Sequence, residues 1–163
     1  MIKQIIPTDF CLSCRGCCRF SQPETSWSPI LLDPEIQQLL EDNYPPSLIS
    51  KTKRIRPVPD SQSDRFLCAF LNPDDNTCKI YNSRPLDCQL YPFMINRKDK
   101  KVFLACDLRC PFAEKNLEVG AFKEYIQYIF NFVNSPSVLN LLRNNPQIIQ
   151  EYKGLLDLEE IKI

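Results

Sequence analysis

Histidine is absent from the 163 residues, and that absence excludes more chemistry than any motif present. Without it there is no Ser-His-Asp triad and no Cys-His nucleophile pair. There is also no HExxH metalloprotease site, no Cys2His2 finger, no Rieske centre and no iron site of the two-histidine, one-carboxylate type. Glycine is nearly absent too: Gly16, Gly120 and Gly154 stand far apart, so neither GxGxxG nor GxxxxGK has the residues it needs to cradle a phosphate. No charge of one sign prevails, since 20 Lys+Arg balance 20 Asp+Glu, which argues against a chain that works by wrapping nucleic acid. Long hydrophobic runs are missing as well. The most apolar stretch, Tyr125 to Val133, is broken by Gln127 and Asn131, short of the about 18 apolar residues that mark a membrane span. The opening MIKQIIPTDFCLSC lacks the apolar centre of a secretory signal. The expectation is a cytoplasmic protein without a membrane partner, folded as a single domain over 1–163.

What is present in excess is cysteine: Cys11, Cys14, Cys17, Cys18, Cys68, Cys78, Cys88, Cys106 and Cys110. Disulfides, metal thiolates and simple packing compete to explain nine thiols. The missing signal peptide and the odd count weigh against a disulfide framework, and metal ligation becomes the leading expectation. Cys11-x2-Cys14-x2-Cys17-Cys18 has the spacing at which one turn of chain delivers several thiolates to a single centre. Gly16 relieves crowding in that turn. Arg15 and Arg19 flank it, where positive charge offsets thiolate charge and lowers thiol pKa values. Adjacent side chains diverge, so which of Cys17 and Cys18 is the ligand stays open. Cys68-x9-Cys78-x9-Cys88 suits ligands from successive strands or loops. Cys106-x3-Cys110-Pro111 matches the end of an iron–sulfur run in spacing only. All-sulfur ligation suits an iron–sulfur cluster, 4Fe–4S by preference, with zinc as the alternative; one centre or two are both open.

Periodicity supplies the rest. Asp33-Pro34 before EIQQLLED reads as a capped helix start, with Ile36, Leu39 and Leu40 on one face. The basic run 51–60 reads as a surface strand or loop. Phe66 to Leu71 is expected to be a short strand, NPDDN a turn, and Pro92 to Ala105 a hairpin around RKDK. Residues 113–134 carry apolar positions at helical spacing, and helices are expected to restart after Ser135-Pro136 and after Asn145-Pro146. The fold class that follows is α+β: a small, irregular, metal-stapled cysteine-rich region with short strands over 1–112, buttressed by C-terminal helices over 113–163.

CLSCRGCC followed by CAFLNPDDNTCKIYNSRPLDCQLYPF resembles the YkgJ-type cysteine-cluster proteins, a zinc- or iron-chelating domain family with a CxxCxxCC signature. The resemblance covers Cys11 to about Phe93, with Cys68, Cys78, Ile80, Tyr81, Arg84, Pro85, Cys88, Pro92 and Phe93 in the family's order. It implies metal binding through Cys11, Cys14, Cys17 or Cys18, Cys68, Cys78 and Cys88. Arg84 would shape the approach to Cys88 or neutralise a cluster, joining Arg15 as a cofactor-side cation. A more distant resemblance to the cysteine module of flagellin lysine N-methylases implies an iron–sulfur cofactor, while the short chain argues against carrying over methylation.

The leading expectation is therefore a thiolate-ligated metal protein with an electron-transfer or redox role and an unidentified redox or protein partner. Two readings compete: a structural zinc module that presents a surface to a partner, and a cluster-dependent enzyme in which Cys17 or Cys18 is the active thiol.

Overall fold

The computed structural model describes residues 2–163, and these divide into two compact units, one of residues 7–89 and one of residues 2–6 with 90–163. In the first unit, α1 (Thr8–Cys14) ends at Arg15, whose φ of 54° is left-handed. Sequence led to irregular chain there, because this helix buries no residue and shows no apolar stripe. Three short strands follow: β1 (Arg19–Phe20), β2 (Pro57–Pro59) and β3 (Phe66–Cys68). They form an antiparallel sheet in the order β1-β3-β2, with Arg19 opposite Leu67 and Pro57 opposite Cys68. Phe20, Leu31, Leu39, Ile55, Leu67, Phe70 and Ile80 make its core. Tyr44 meets Phe70 edge-on at 5.0 Å.

The helix expected after Asp33 is present as α2 (Asp33–Glu41), but Asp33 lies within it. Glu35 does the capping: the Leu32 N–H donates to its Oε2 at 2.8 Å. Its other oxygen, Oε1, accepts the Leu86 N–H at 2.6 Å, at the start of α3 (Leu86–Leu90). Asp87 returns the favour by accepting the Ile30 N–H at 2.9 Å. Two partly buried carboxylates thus fasten the chain before α2 to the turn that carries Arg84 and Cys88. The basic run is also used internally. Arg54 donates to the carbonyls of Ser26 and Ser28, and Lys53 pairs with Asp33.

The second unit has its own antiparallel sheet, β4 (Phe93–Lys98), β5 (Lys101–Cys106) and β6 (Leu156–Ile161), in that order. The expected hairpin is present. Lys98 faces Lys101 across Asp99-Lys100, and both turn residues have positive φ, as a two-residue hairpin turn requires. Asn96 is buried; its Oδ1 accepts the Tyr152 N–H and its Nδ2 donates to Asp157. Helices α4 (Pro111–Asn116), α5 (Gly120–Val133) and α6 (Pro136–Asn144) follow β5. Phe122, Ile129 and Val133 are buried on one face of α5, and Phe122 stacks on Phe93 at 5.9 Å. The helix expected after Pro146 is a single 3-10 turn, Pro146–Ile148, and the chain then becomes β6. The leucines there alternate with acidic residues, a strand period that the neighbouring helices obscured.

The structure is α+β with C-terminal helices, and its short strands form two small sheets. The metal staple does not stand: among the described residues, no three or more Cys, Asp or Glu side chains are grouped so as to hold a metal ion. Hydrophobic cores and the Glu35 and Asp87 ties hold the chain instead.

Burial pushes the Asp87 carboxyl from 3.8 up to about 6, against the pull of the Ile30 N–H and Arg54. A raised carboxyl pKa means the native state holds its proton more tightly than the unfolded chain. Its stabilisation is full below about pH 4 and is lost as pH rises through about 6, an effect of order 3 kcal/mol. Asp87→Asn keeps an acceptor for Ile30. Urea unfolding across this window is expected to show the wild type losing stability with rising pH and D87N losing markedly less; parallel curves would contradict the assignment.

Candidate functional site

The cysteines fall unevenly between the two units. Cys11 and Cys14 sit on α1 and are exposed. Cys17 and Cys18 follow in the turn that leads into β1. A Cβ added at Gly16 would come within 3.4 Å of the Cys14 sulfur, so the turn is close-packed where glycine stands. Cys68 ends β3, Cys78 follows the NPDDN turn and Cys88 lies in α3. Cys106 ends β5 and Cys110 caps α4, both buried in the second unit. All nine are thiols.

Within the first unit, Cys17, Cys68, Cys78 and Cys88 feel one another, and Cys18 acts on Cys17. Cys17 is exposed as a residue, yet its thiol is raised well above the ordinary value, first by its hydrogen bond with Cys18 and then by desolvation. The open turn exposes the residue while its sulfur is engaged with Cys18. Burial pushes Cys68 up to about 11, and proximity to Cys78 and Cys17 adds to the rise. Cys78 is raised chiefly by burial. Cys88 is raised well above the ordinary value by burial and then by Cys68, Asp87, Cys17 and Cys78. Each effect has the same origin: a thiolate would stand in a poorly solvating place beside other thiols.

These thiols are neighbours in the electrostatic sense, which acts over several ångströms. A metal centre demands more, with sulfur atoms converging to about 2.3 Å from one ion. No such group of three or more exists among the described Cys, Asp and Glu residues. The donor set therefore does not fit the expected iron–sulfur cluster, nor its zinc alternative. The metal-binding function, the cluster-based redox role and the structural zinc module built on it are overturned with it. The spacing of CLSCRGCC was a poor guide because α1 continues to Cys14 and leaves Cys11 and Cys14 exposed on a helix, rather than wrapping all four thiols around one point.

The cation is better placed. Arg84 follows the 3-10 turn Tyr81–Ser83, and its carbonyl accepts the Gln89 side-chain amide at 2.7 Å. Pro85 holds the preceding residue extended, and Arg84 has ψ of 138°. The guanidinium lies 4.0 Å from the centre of the exposed Tyr81 ring, a cation–π contact. Its charge lowers the pKa of both Cys17 and Cys78, against the stronger effects that raise them. Its Nε and Nη2 are buried and have no hydrogen-bond partner among the described residues. Arg15 is exposed at the C-cap of α1, two residues before Cys17.

In the second unit, Cys106 and Cys110 flank a structural turn organised by Asp107, a residue the cysteine spacing concealed. Asp107 is buried. Its carboxylate accepts from Arg109 N and Nε at 3.0 and 2.8 Å, from Arg109 Nη2 at 3.0 Å and from the Tyr91 hydroxyl at 3.2 Å. Its own N–H donates to the Pro92 carbonyl. Burial, with Cys110 and Asp107 adding, pushes Cys106 up to about 12. Asp107→Ala strips four donors of their acceptor and is expected to cost about 2–4 kcal/mol, whereas Cys106→Ala, which removes one buried sulfur, is expected to cost less. Denaturant unfolding of the two variants measures this; the reverse order would mean that the thiol, not the carboxylate, holds the turn.

No curated protein and no solved structure matches the chain. A family model does, over residues 10–115, under the description "CxxCxxCC: Putative zinc- or iron-chelating domain". That span takes in all nine cysteines, Arg84 and Asp107, and extends past the point where the sequence resemblance was firm. With that span covered, the chain belongs to the CxxCxxCC family.

Proposed function

We propose that the first unit is a recognition module for an anionic ligand, held by the Nε–Nη2 edge of Arg84 and bordered by the thiols of Cys17 and Cys78. The observation that carries this reading is the pair of buried, unpartnered guanidinium donors. A buried charged donor without an acceptor costs more than the about 1–3 kcal/mol of a neutral one, and native proteins seldom retain one without a purpose. The unfilled edge is the side-on fork that matches a carboxylate or phosphate in bidentate fashion. Arg109 uses that same pair of nitrogens on Asp107 in the second unit.

The surroundings support such a ligand. Cys17 and Cys78 are held as neutral thiols, so they border the cation without satisfying it. The exposed Tyr81 ring covers one face of the guanidinium, and Arg15, exposed two residues before Cys17, supplies a second positive charge on that turn. Arg15 steers and Arg84 binds. The partner is thus a small anion or an anionic group on a larger molecule.

Inorganic phosphate, added to the full chain labelled with nitrogen-15, tests this. The Arg84 Nε–H resonance is expected to shift saturably, and Arg84→Lys, which lacks the fork, is expected to weaken binding at least tenfold. Arg15→Gln is expected to weaken it less and to reduce its dependence on salt. An Arg84 resonance that does not respond to phosphate, sulfate or acetate overturns the reading.

A further inference from the structure

The register of the first sheet places a second feature that the anion reading does not use. Arg19 is opposite Leu67 and Phe20 is opposite Phe66. One step further along the same antiparallel pair, Cys18 stands opposite Cys68, and the Cys68 N–H donates to the Cys18 carbonyl at 2.9 Å. Directly opposed residues in such a pair project their side chains to the same face and have Cα atoms about 4.5–5.5 Å apart. A disulfide spans Cα separations of about 4.4–6.8 Å. The two side chains share surroundings as well: Cys68 is part of the hydrophobic core of this unit, and Cys18 packs against that core.

We propose that Cys18 and Cys68 are a cross-strand dithiol that closes to a disulfide by exchange with a low-molecular-weight disulfide. Cys18, the more exposed of the two, attacks one sulfur of the incoming disulfide as its thiolate. The S–S bond of the reagent breaks, a Cys18 mixed disulfide forms and one reagent thiol leaves with the proton that Cys18 gave up. The Cys68 thiolate then attacks the Cys18 sulfur, expelling the second reagent thiol with the Cys68 proton. Two protein thiols are oxidised, one reagent disulfide is reduced to two thiols, and the charge balances. Cys17 is the poorer partner for Cys18. Consecutive Cα atoms are 3.80 Å apart across a trans peptide, shorter than the usual disulfide span. The product ties β1 to β3 without changing their register and locks the strand that follows the Cys17 turn.

Glutathione disulfide is the probe. The Cys17→Ser/Cys78→Ser double variant removes the two cysteines that share proteolytic peptides with Cys18 and Cys68, so that a crosslink is assigned without ambiguity. After incubation of this full-length variant, alkylation of remaining thiols and digestion, a linked pair of peptides carrying Cys18 and Cys68 is expected, lighter by two hydrogen atoms than the sum of the reduced peptides. Wild-type protein treated in the same way is expected to unfold at higher urea when oxidised than after reduction, and Cys68→Ser is expected to stop at the glutathione adduct on Cys18. A Cys18 that stays alkylated, or stays as the glutathione adduct while Cys68 is alkylated, overturns the proposal. Should the double variant fail to fold, the single variants Cys17→Ala and Cys78→Ala, with fragmentation of the linked peptides, give the same assignment. A crosslink from Cys18 to any residue other than Cys68 counts against it there too.

Discussion

Glu35 and Asp87 are the tie on which the first unit depends. Each carboxylate accepts a backbone N–H from the other's neighbourhood: Leu86 to Glu35 and Ile30 to Asp87. Without this exchange nothing given by local propensity would bring the start of α3 to the chain before α2. Burial raises both carboxyls, so the tie is made at an electrostatic cost, which the backbone donors only partly offset. The return is position. Arg84, two residues before Leu86, and Cys88, one after Asp87, are delivered beside thiols from the turn before β1 and from the end of β3.

What gathers there is a set of thiols that favour the neutral form around a cation that lacks an acceptor. The two facts are linked. Arg84 draws the pKa of Cys17 and Cys78 down, yet desolvation and neighbouring sulfur prevail. A guanidinium among neutral thiols finds no acceptor among the described residues for its Nε–Nη2 fork. The second unit shows the same chemistry completed, with Asp107 filling the fork of Arg109 and closing the turn between Cys106 and Cys110.

Much of the fold was legible in residue patterns. The β4–β5 hairpin, helix α5 with its buried Phe122, Ile129 and Val133, and the start of α2 all follow from short-range periodicity and turn chemistry, which act within the chain's nearest neighbours. Family membership was legible for the same reason, since cysteine order survives without knowledge of geometry. The metal centre was the error. Spacing states which thiols are close along the chain, but convergence on a point depends on how α1, β3 and α3 are placed, and α1 leaves Cys11 and Cys14 exposed to solvent. Asp107, Glu35 and Asp87 were missed because a single acidic residue in a turn or first helical turn carries no periodic signal; their partners lie between 2 and 57 positions away. The strand β6 was hidden by its helical neighbours.

The placement of Arg84 among the thiols is tested most directly by the pH dependence of thiol alkylation, followed cysteine by cysteine in the wild type and in Arg84→Gln. Removing the guanidinium charge is expected to move the reaction midpoints of Cys17 and Cys78 to higher pH while those of Cys68 and Cys88 move less, because Arg84 acts on the first two. Midpoints for Cys17 and Cys78 that are unchanged by the substitution, in a variant that is still folded, would contradict the account.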